Sequence, residues 1–260
     1  MGVMYGVNPT WGAQTNEGRT HIATKGIVQS GLVLNLDAGV SSSYPGSGTT
    51  WTDLSGNGNT GTLNGAGYNN ANGGSLTFDR TDDYASLTPS TRYTTLTMEI
   101  WFNTTTVSAN RQYLYTQQTN PPTLSAYTFQ QRQGCQIETD KVTFQYMNVL
   151  NNSFFVTTTP SIQSNTWYQF VATLNGGSYQ LYLNGSPVSM TPNTQDTMFI
   201  STNTNPKTFT PNQAYIGLRG DSEGDDRFGG NIAVVREYNR ALSATEIQQN
   251  FNALRSRYSI

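Results

Sequence analysis

The sequence has little of the chemistry on which most enzymes and nucleic-acid-binding proteins rely. Its 260 residues include one cysteine, Cys135, and one histidine, His21. A single cysteine permits neither an intrachain disulfide nor a thiolate zinc site, and a single histidine removes most histidine-based metal and acid–base sites. Charged residues make up 12% of the chain and the formal net charge is −2. Because there is no basic excess to neutralise a phosphate backbone, we expect no nucleic-acid partner.

Long apolar runs are also missing from the sequence. No stretch approaches the roughly 18 apolar residues of a membrane-spanning helix, so we expect no membrane insertion. Residues 1–14 lack the basic start and apolar centre of a secretory signal peptide. If the protein acts outside a cell, it needs another route, and assembly into a virus particle released by lysis is one.

Threonine, asparagine, glycine and aromatic residues dominate the chain instead. It contains 38 Thr, 26 Asn, 25 Gly, 15 Tyr, 11 Phe and 4 Trp. Thr, Tyr and Phe favour strands, whereas Asn and Gly favour turns. The composition therefore predicts an all-β protein with many turns.

Alternating patterns support this prediction from Gly31 onward. Met98, Ile100 and Phe102 fall on one face of a predicted strand. The clearest hairpin covers residues 167–184, where an Asn-Gly-Gly turn joins two alternating runs. About a dozen such strands predict two antiparallel sheets packed face to face.

One helix is predicted at the C-terminal end, over residues 243–258. Ser243 and Glu246 have the spacing of a capping box, in which each side chain bonds the other's backbone N–H. An apolar stripe at helical spacing follows, formed by Ile247, Phe251, Leu254 and Tyr258. The stripe predicts a helix packed on the sandwich, with an oligomer contact as the alternative.

The N-terminal part of the chain differs from the rest. Residues 1–30 show no sustained period and are predicted to form an irregular arm, with residues 31–260 as a single domain. The arm is either a disordered terminus or a segment that orders against a partner. In the second case its apolar residues would attach it to neighbouring subunits, and the candidates are Val7, Trp11, Ile22 and Ile27.

Oxygen-rich loops offer candidate cation sites. Asp53 and Asn57 lie in a Gly-rich loop whose oxygen atoms are of the kind that Ca²⁺ prefers. Asp225 and Asp226 lie in a second, acidic loop over 221–226. These four residues are the predicted ligands of a possible Ca²⁺. The alternatives are an Asx-turn loop that closes on itself and a solvated acidic loop.

Residues for catalysis are harder to find. Glu138, Asp140 and Thr143 occupy the spacing of a β-glucanase signature, but a threonine stands where the third acid is needed. A serine triad would have to use His21, which lies in the irregular arm. We therefore expect no catalytic residues and a protein that is not an enzyme.

Sugar binding needs exposed aromatic rings beside planar polar groups. The sequence does not single out a glycan-binding aromatic residue, because most tyrosines of a sandwich belong to its core or to cross-strand pairs. The candidates are Trp11, Trp51, Tyr113, Tyr115, Tyr127 and Tyr215.

Several blocks of the chain, in order, resemble the concanavalin A-like, laminin-G-like domain. They are Gly31–Gly39, Trp51–Leu63, Ser75–Asp79, Asp83–Tyr84, Leu96–Phe102, Trp167–Thr173, Tyr179–Gly185, Tyr215–Leu218 and Phe228–Ser243. The resemblance implies a jelly-roll sandwich of two antiparallel sheets. The Leu-Asp-Ala-Gly run ending at Gly39 and the loop over 44–59 are also similar to domains in structural proteins of tailed phages, especially marine ones.

This resemblance implies a function as well as a fold. We expect a non-enzymatic virion protein on a phage capsid or tail, with other virion proteins as partners in a multimer and host-surface glycans as further ligands. The alternative is a soluble or cell-surface carbohydrate-binding or adhesion module. A polysaccharide hydrolase is a remote alternative, because the third carboxylate is missing. The fold itself hosts all of these functions.

Overall fold

The fold is a sandwich of two antiparallel sheets, seen in a computed structural model. The structure describes residues 26–88, 94–119, 131–147, 153–158, 161–176, 178–192, 211, 213–219 and 226–260. Its strands are β1 Leu32–Asp37, β2 Thr50–Trp51, β3 Gly61–Asn64, β4 Gly67–Asn69, β5 Ser75–Asp79, β6 Tyr84–Leu87, β7 Thr95–Thr104, β8 Ser108–Thr119, β9 Gln131–Thr139, β10 Lys141–Met147, β11 Ser153–Thr158, β12 Trp167–Asn175, β13 Ser178–Leu183, β14 Ser186–Pro187, β15 Met190–Pro192, β16 Gln213–Ile216 and β17 Gly229–Tyr238. The predicted all-β sandwich with a C-terminal helix is confirmed.

The two sheets have eight and nine strands among the described residues. In the eight-stranded sheet the order is β14-β13-β12-β7-β17-β5-β4, and β1 pairs with β17. In the nine-stranded sheet the order is β15-β11-β10-β9-β8-β16-β6-β3-β2. Neighbours in the sheets are often distant in sequence, as in a jelly roll, so the sandwich forms through long-range pairing.

The main core lies between the sheets. Met98, Ile100 and Phe102 all point into it, as their alternation predicts, and each is fully buried. Phe144 and Ile216 face them from the nine-stranded sheet. Alternation also sends every second residue of each sheet to an outer face, so the sandwich presents two outer faces of its own.

The outer face of the eight-stranded sheet is covered by helix α1, Ala244–Leu254. Trp101 of β7 lies on this face, with its ring stacked on Phe251 at a centroid distance of 5.8 Å and on Tyr258 at 4.8 Å. These rings, with Trp167 and Leu254, form a second buried apolar cluster. The predicted helix packed on the sandwich is therefore confirmed.

The ends of α1 only partly follow the prediction. Ser243 and Glu246 form the predicted capping box. The helix ends at Leu254 rather than at residue 258, because the backbone of Leu254 leaves the helical region with φ of −123° and a 3₁₀ turn follows. This change of direction brings Arg257 to the carboxylate of Asp37, at 2.9 Å.

Buried charges fix α1 to the sheet beneath it. Glu99 accepts hydrogen bonds from Asn250 of the helix at 2.8 Å, from Gln169 at 2.9 Å and from Trp101 at 2.9 Å. Arg236 also donates to Glu99, at 3.3 Å, and both side chains are at most 1% exposed. Since a buried charge is tolerated only with such partners, the helix is part of the fold.

The chain between residues 26 and 28 also packs on α1. Val28 donates its backbone N–H to the side-chain oxygen of Asn250 at 2.8 Å, and Gln249 donates to the carbonyl of Gly26 at 2.7 Å. Ile27 and Val28 are 4% and 7% exposed. Residues 26–28 therefore pack on the helix of the same chain, and the domain boundary at Gly31 stays a prediction.

Candidate functional site

The outer face of the nine-stranded sheet contrasts with the helix-covered face and is lined by uncharged polar side chains. Thr50, Thr62, Ser86, Tyr215 and Thr116 are directly opposite one another across β2, β3, β6, β16 and β8. Their neighbours Trp51, Leu63, Leu87 and Ile216 point into the core, so these five point outward. We call this set the hydroxyl row. Strands of a sheet lie about 4.8 Å apart, so the row spans roughly 19 Å.

A tyrosine pair stands beside the hydroxyl row. The rings of Tyr84 and Tyr215 pack edge to face, with centroids 5.9 Å apart and planes at 72°. Both tyrosines are half-buried, so part of each ring is exposed. Burial, and secondarily the neighbouring Tyr84, raises the pKa of Tyr215. The hydroxyl therefore remains protonated at neutral pH and can donate a hydrogen bond.

Buried polar side chains continue the same face over β9 and β10. Gln136 and Thr143 are directly opposite each other, and Gln145 is opposite Gly134, which in turn is opposite Thr116. Gln136 Oε1, Thr143 Oγ1 and Gln145 Oε1 are buried with no hydrogen-bond partner among the described residues. A buried polar group without a partner costs about 1–3 kcal/mol. Gln136 and Thr143 are 0% exposed and Gln145 is 3% exposed, so a glycan on this face would not reach these atoms.

Two arginines flank a tyrosine nearby on β8. The guanidinium carbons of Arg132 and Arg219 lie 6.0 Å and 5.7 Å from the ring centroid of Tyr113. Arg132 donates to Gln118 at 3.1 Å, and Arg219 pairs with Asp226 at 3.2 Å. Tyr113 is only 2% exposed, so this cluster supports the sheet rather than offering a ring to a ligand.

Acidic residues lie at the end of β5 and in the turn from there to β6, before Tyr84. The carboxylates of Asp79, Asp82 and Asp83 lie within 4.8 Å of one another. Backbone N–H groups, chiefly that of Thr81, lower the pKa of Asp79, whereas burial raises the pKa of Asp83. Asp79 and Asp82 are exposed, so the turn that leads to Tyr84 carries exposed carboxylates.

The predicted calcium loop at Asp53 closes on itself and on β1. Asp53 accepts hydrogen bonds from the backbone N–H groups of Asn35, Ser55 and Asn59 at 2.9–3.0 Å. Asn57 uses its amide to donate to the carbonyl of Leu32 at 3.4 Å. This is the Asx-turn alternative. The loop provides hydrogen-bond partners for backbone groups at the edge of β1. A cation bound to Asp53 would have to displace the N–H groups that donate to its carboxylate.

The second predicted calcium loop is only partly described. Asp226 forms the ion pair with Arg219, and Asp225 lies outside the described residues. Calcium binding by Asp53, Asn57, Asp225 and Asp226 therefore stays a prediction. Melting temperatures measured in EDTA and in excess Ca²⁺ would test it.

Of the four predicted attachment residues, Ile27 is the one that lies among the described residues. Val7, Trp11 and Ile22 lie outside the described residues. Ile27 is buried in its own chain, so it is not exposed to a neighbouring subunit as the sequence suggested. Its burial follows from the hydrogen bonds that hold Gly26 and Val28 to α1.

The residues with glucanase spacing do not form an acid pair on one strand. Glu138 lies near the end of β9, where it pairs with Arg111 at 3.2 Å. Asp140 lies in the turn that follows, and the Ser161 hydroxyl lowers its pKa. A general acid needs the opposite shift. Thr143 is fully buried on β10.

Of the aromatic candidates for sugar binding, Tyr215 is the described one that lies part-exposed on an outer face. Trp51 and Tyr115 are fully buried core residues, Tyr113 is buried, and Trp11 and Tyr127 lie outside the described residues. Tyr84 is not among the candidates that the sequence suggests. Its position on the outer face is indicated by the alternation over 84–87, in which Ala85 and Leu87 point into the core and Tyr84 and Ser86 point outward.

One protein family matches most of the chain. Residues 79–248 match the Laminin_G_3 family of the concanavalin A-like lectin/glucanases superfamily. The matched region includes β6, β8, β9, β10 and β16, which carry most of the outer face described above. No protein with a curated description matches the sequence.

Solved structures of similar fold include binding domains of toxins and a sialidase. The binding domain of Paraclostridial Mosquitocidal Protein 1 superposes with a TM-score of 0.63 at 13% identity, over 86% of this chain and 52% of that one. Botulinum neurotoxin serotype D ligand binding domain in complex with N-acetylneuraminic acid gives 0.62 at 12%, over 89% and 52%. Trypanosoma rangeli sialidase in complex with sialic acid gives 0.61 at 17%, over 87% and 33%.

These likenesses establish the fold, since all three identities lie far below 25%. The chain spans about half or a third of the length of these structures. Among the described residues, no helix has the length and apolar character needed to cross a membrane.

Proposed function

Because the chain belongs to the concanavalin A-like lectin/glucanases superfamily, we propose that it binds glycans through the outer face of its nine-stranded sheet. The observation that carries this proposal is the hydroxyl row beside the half-buried Tyr84–Tyr215 pair. Sugar rings present C–H groups that pack on aromatic rings, and their hydroxyls both donate and accept hydrogen bonds. An aromatic pair next to uncharged hydroxyl groups provides a partner for each kind of contact.

Binding sites combine a few well-placed polar groups with apolar and aromatic surface, as the exposed and half-buried hydroxyl side chains and the tyrosine pair do here. The fold neighbours include a neurotoxin domain bound to N-acetylneuraminic acid, which is a sugar.

We further propose that the protein binds glycans without hydrolysing them. Glycoside hydrolysis needs two carboxyl groups across the scissile bond, one of them with a raised pKa. Glu138 is paired with Arg111, and the pKa of Asp140 is lowered. The similarity in fold to Trypanosoma rangeli sialidase is an argument for hydrolysis. However, this chain covers only 33% of that sialidase.

The setting in which we propose this activity is a phage particle, on the capsid or the tail. The support is the similarity of residues 36–59 to domains of tailed-phage structural proteins. In this setting the segment before Gly26 attaches the domain to other virion proteins in a multimer, through Val7, Trp11 and Ile22. The domain then displays its polar face to host-surface glycans. A soluble or cell-surface adhesion module is the alternative setting for the same face.

Glycan binding is tested with a glycan array followed by titration calorimetry. The variant Tyr215→Ala should weaken binding at least tenfold, which is about 1.4 kcal/mol. Tyr68→Ala is the matched control, because Tyr68 is also a half-buried tyrosine in a ring pair, with Tyr44 at 5.4 Å, but belongs to the eight-stranded sheet. Equal loss of binding in both variants would overturn the proposed site.

The phage setting is tested separately, by mass spectrometry of purified virions. We expect peptides of this chain in the particle, and fewer of them when residues 2–25 are deleted. Absence from the particle would leave the adhesion-module setting. Release of reducing sugar from any glycan bound on the array would overturn the non-enzymatic proposal.

A further inference from the structure

The hydroxyl row has a length, a direction and a charge that together restrict the ligand. It runs across the strands, whereas a single sugar would cover only one position along it. From Thr50 to Tyr215 the row crosses β2, β3, β6 and β16, which is three strand spacings or roughly 14 Å. A pyranose ring is about as wide as one strand spacing.

The exposed part of the row is the part that a ligand can reach. Thr50 and Thr62 are exposed, and Ser86 and Tyr215 are half-buried. Thr116 is fully buried and donates to the carbonyl of Leu218 at 3.0 Å, so its hydroxyl is already engaged. Four hydroxyl groups in register therefore remain within reach, with the Tyr84–Tyr215 rings at one end. The Ser86 hydroxyl donates to the carbonyl of Thr62 at 3.5 Å, which leaves its oxygen able to accept a hydrogen bond.

The charges around the hydroxyl row favour a neutral ligand over an acidic one. The four hydroxyl side chains are uncharged, and the nearest acidic cluster along the chain, Asp79, Asp82 and Asp83, immediately precedes Tyr84. Asp82 is exposed and lies two residues before Tyr84, so it disfavours an anionic ligand that extends from the tyrosine pair towards this turn. Of the two arginines that flank Tyr113, Arg132 is 5% exposed, and Arg219, with a side chain 24% exposed, is paired with Asp226 at 3.2 Å.

We propose that the ligand is a neutral oligosaccharide or polysaccharide of at least three sugar units, lying across the strands from the Tyr84–Tyr215 pair to Thr50. This inference rests on the proposed function and adds the ligand's length, direction and charge. One unit stacks on the tyrosine pair. The next units lie over Ser86 and Thr62, where their hydroxyls exchange hydrogen bonds with the side chains.

The first experiment is a length series cut from the strongest-binding neutral glycan on the array. Affinity should rise at least tenfold from one to three sugar units and then level off. Thr62→Arg, at an exposed position two strands from Tyr215, should weaken the three-unit fragment at least fivefold and leave the one-unit fragment unchanged. A single unit that binds as tightly as three, or equal weakening of both fragments by Thr62→Arg, would overturn the inference.

The second experiment compares one glycan with and without a terminal sialic acid. We expect the sialylated form to bind no better, and Asp82→Asn to improve its binding relative to the neutral form. Preference for the sialylated glycan would overturn the neutral class while leaving the proposed function intact. Absence of binding to every glycan would overturn the proposed function itself, so the two failures are distinguishable.

Discussion

The two outer faces of this sandwich are built from the same alternating strands but meet different partners. On the eight-stranded sheet, Trp101 is covered by Phe251 and Tyr258, and Glu99 is held by Asn250 of the helix. On the nine-stranded sheet, the outward positions from β2 to β16 carry hydroxyl groups that stay exposed or half-buried. The first face is covered by the chain's own C-terminal segment, whereas these positions of the second face keep exposed or half-buried side chains in the described part of the chain.

The difference separates a face that the fold needs for stability from a face that we propose binds glycans. A charged group such as Arg236 is fully buried under the helix and is supported by two carboxylates. On the other sheet, Glu138 and Arg111 form an ion pair whose side chains are 16% and 31% exposed. Damage to the first face should therefore unfold the protein, whereas damage to the second should change binding with little loss of stability.

The largest loss of stability is expected from Glu99→Ala. It removes the acceptor of four side chains and leaves Asp37, at 3.6 Å, as the remaining carboxylate beside the buried Arg236, which should lower the free energy of unfolding by about 3–5 kcal/mol. Urea unfolding measures this. The control Glu138→Ala breaks a partly exposed pair on the other sheet and should cost only about 0–1 kcal/mol. Similar losses in both variants would contradict the contrast between the faces.

Phe251→Ala should follow, at about 3 kcal/mol, because it removes a ring stacked on Trp101 and leaves a cavity. Asn252→Ala changes the next residue of the same helix, which is exposed, and should stay within about 0.5 kcal/mol of the natural protein. If thermal melting is unchanged in Phe251→Ala, the helix does not complete the fold as described.

Glu246→Gln should cost about 1 kcal/mol at neutral pH, because it weakens the capping box and the pair with Arg240. Hydrogen bonding from Arg240 lowers the pKa of Glu246 from 4.5 to about 2. Stability from this carboxylate is therefore present above pH 4.5 and is lost as the pH falls towards 2. The melting temperatures of the variant and the natural protein should converge over that interval, and a constant difference would show that the charge is unimportant.

The smallest effect on stability is expected from Gln145→Leu on the nine-stranded sheet. Replacing a buried amide whose oxygen has no partner by an apolar side chain of similar size should be neutral or slightly stabilising, within about 1 kcal/mol. Because Gln145 is only 3% exposed, the same variant should leave glycan affinity unchanged. A stability loss of several kcal/mol would show that Gln145 has a structural role.

The sequence predicted the core and the buried face of the helix well, because buried residues recur at the regular spacing of a strand or a helix. The alternation of Met98, Ile100 and Phe102 located the core, and the stripe beginning at Ile247 located the helix contact. The end of α1 was predicted four residues late because Tyr258 is buried through the 3₁₀ turn rather than through continued helix. Periodicity identifies which residues are buried and does not show how the backbone brings them there.

The candidate site was much less predictable, since it depends on pairing between distant strands. Ser86 and Tyr215 are neighbours only because β6 pairs with β16, and no local pattern gives that register. Asp53 was interpreted as a metal ligand because its loop has the right oxygen atoms. In the structure those oxygens accept backbone N–H groups of Asn35, Ser55 and Asn59, which composition alone could not show.

The most direct test of the glycan-binding face is a residue-by-residue map of the bound ligand by NMR titration. The probe is the strongest-binding glycan from the array, added to the isotope-labelled full chain. We predict that the amide signals of Thr62, Ser86 and Tyr215 shift on binding while those of α1 do not. Shifts confined to α1 and the eight-stranded sheet, with the hydroxyl row unchanged, would contradict the account.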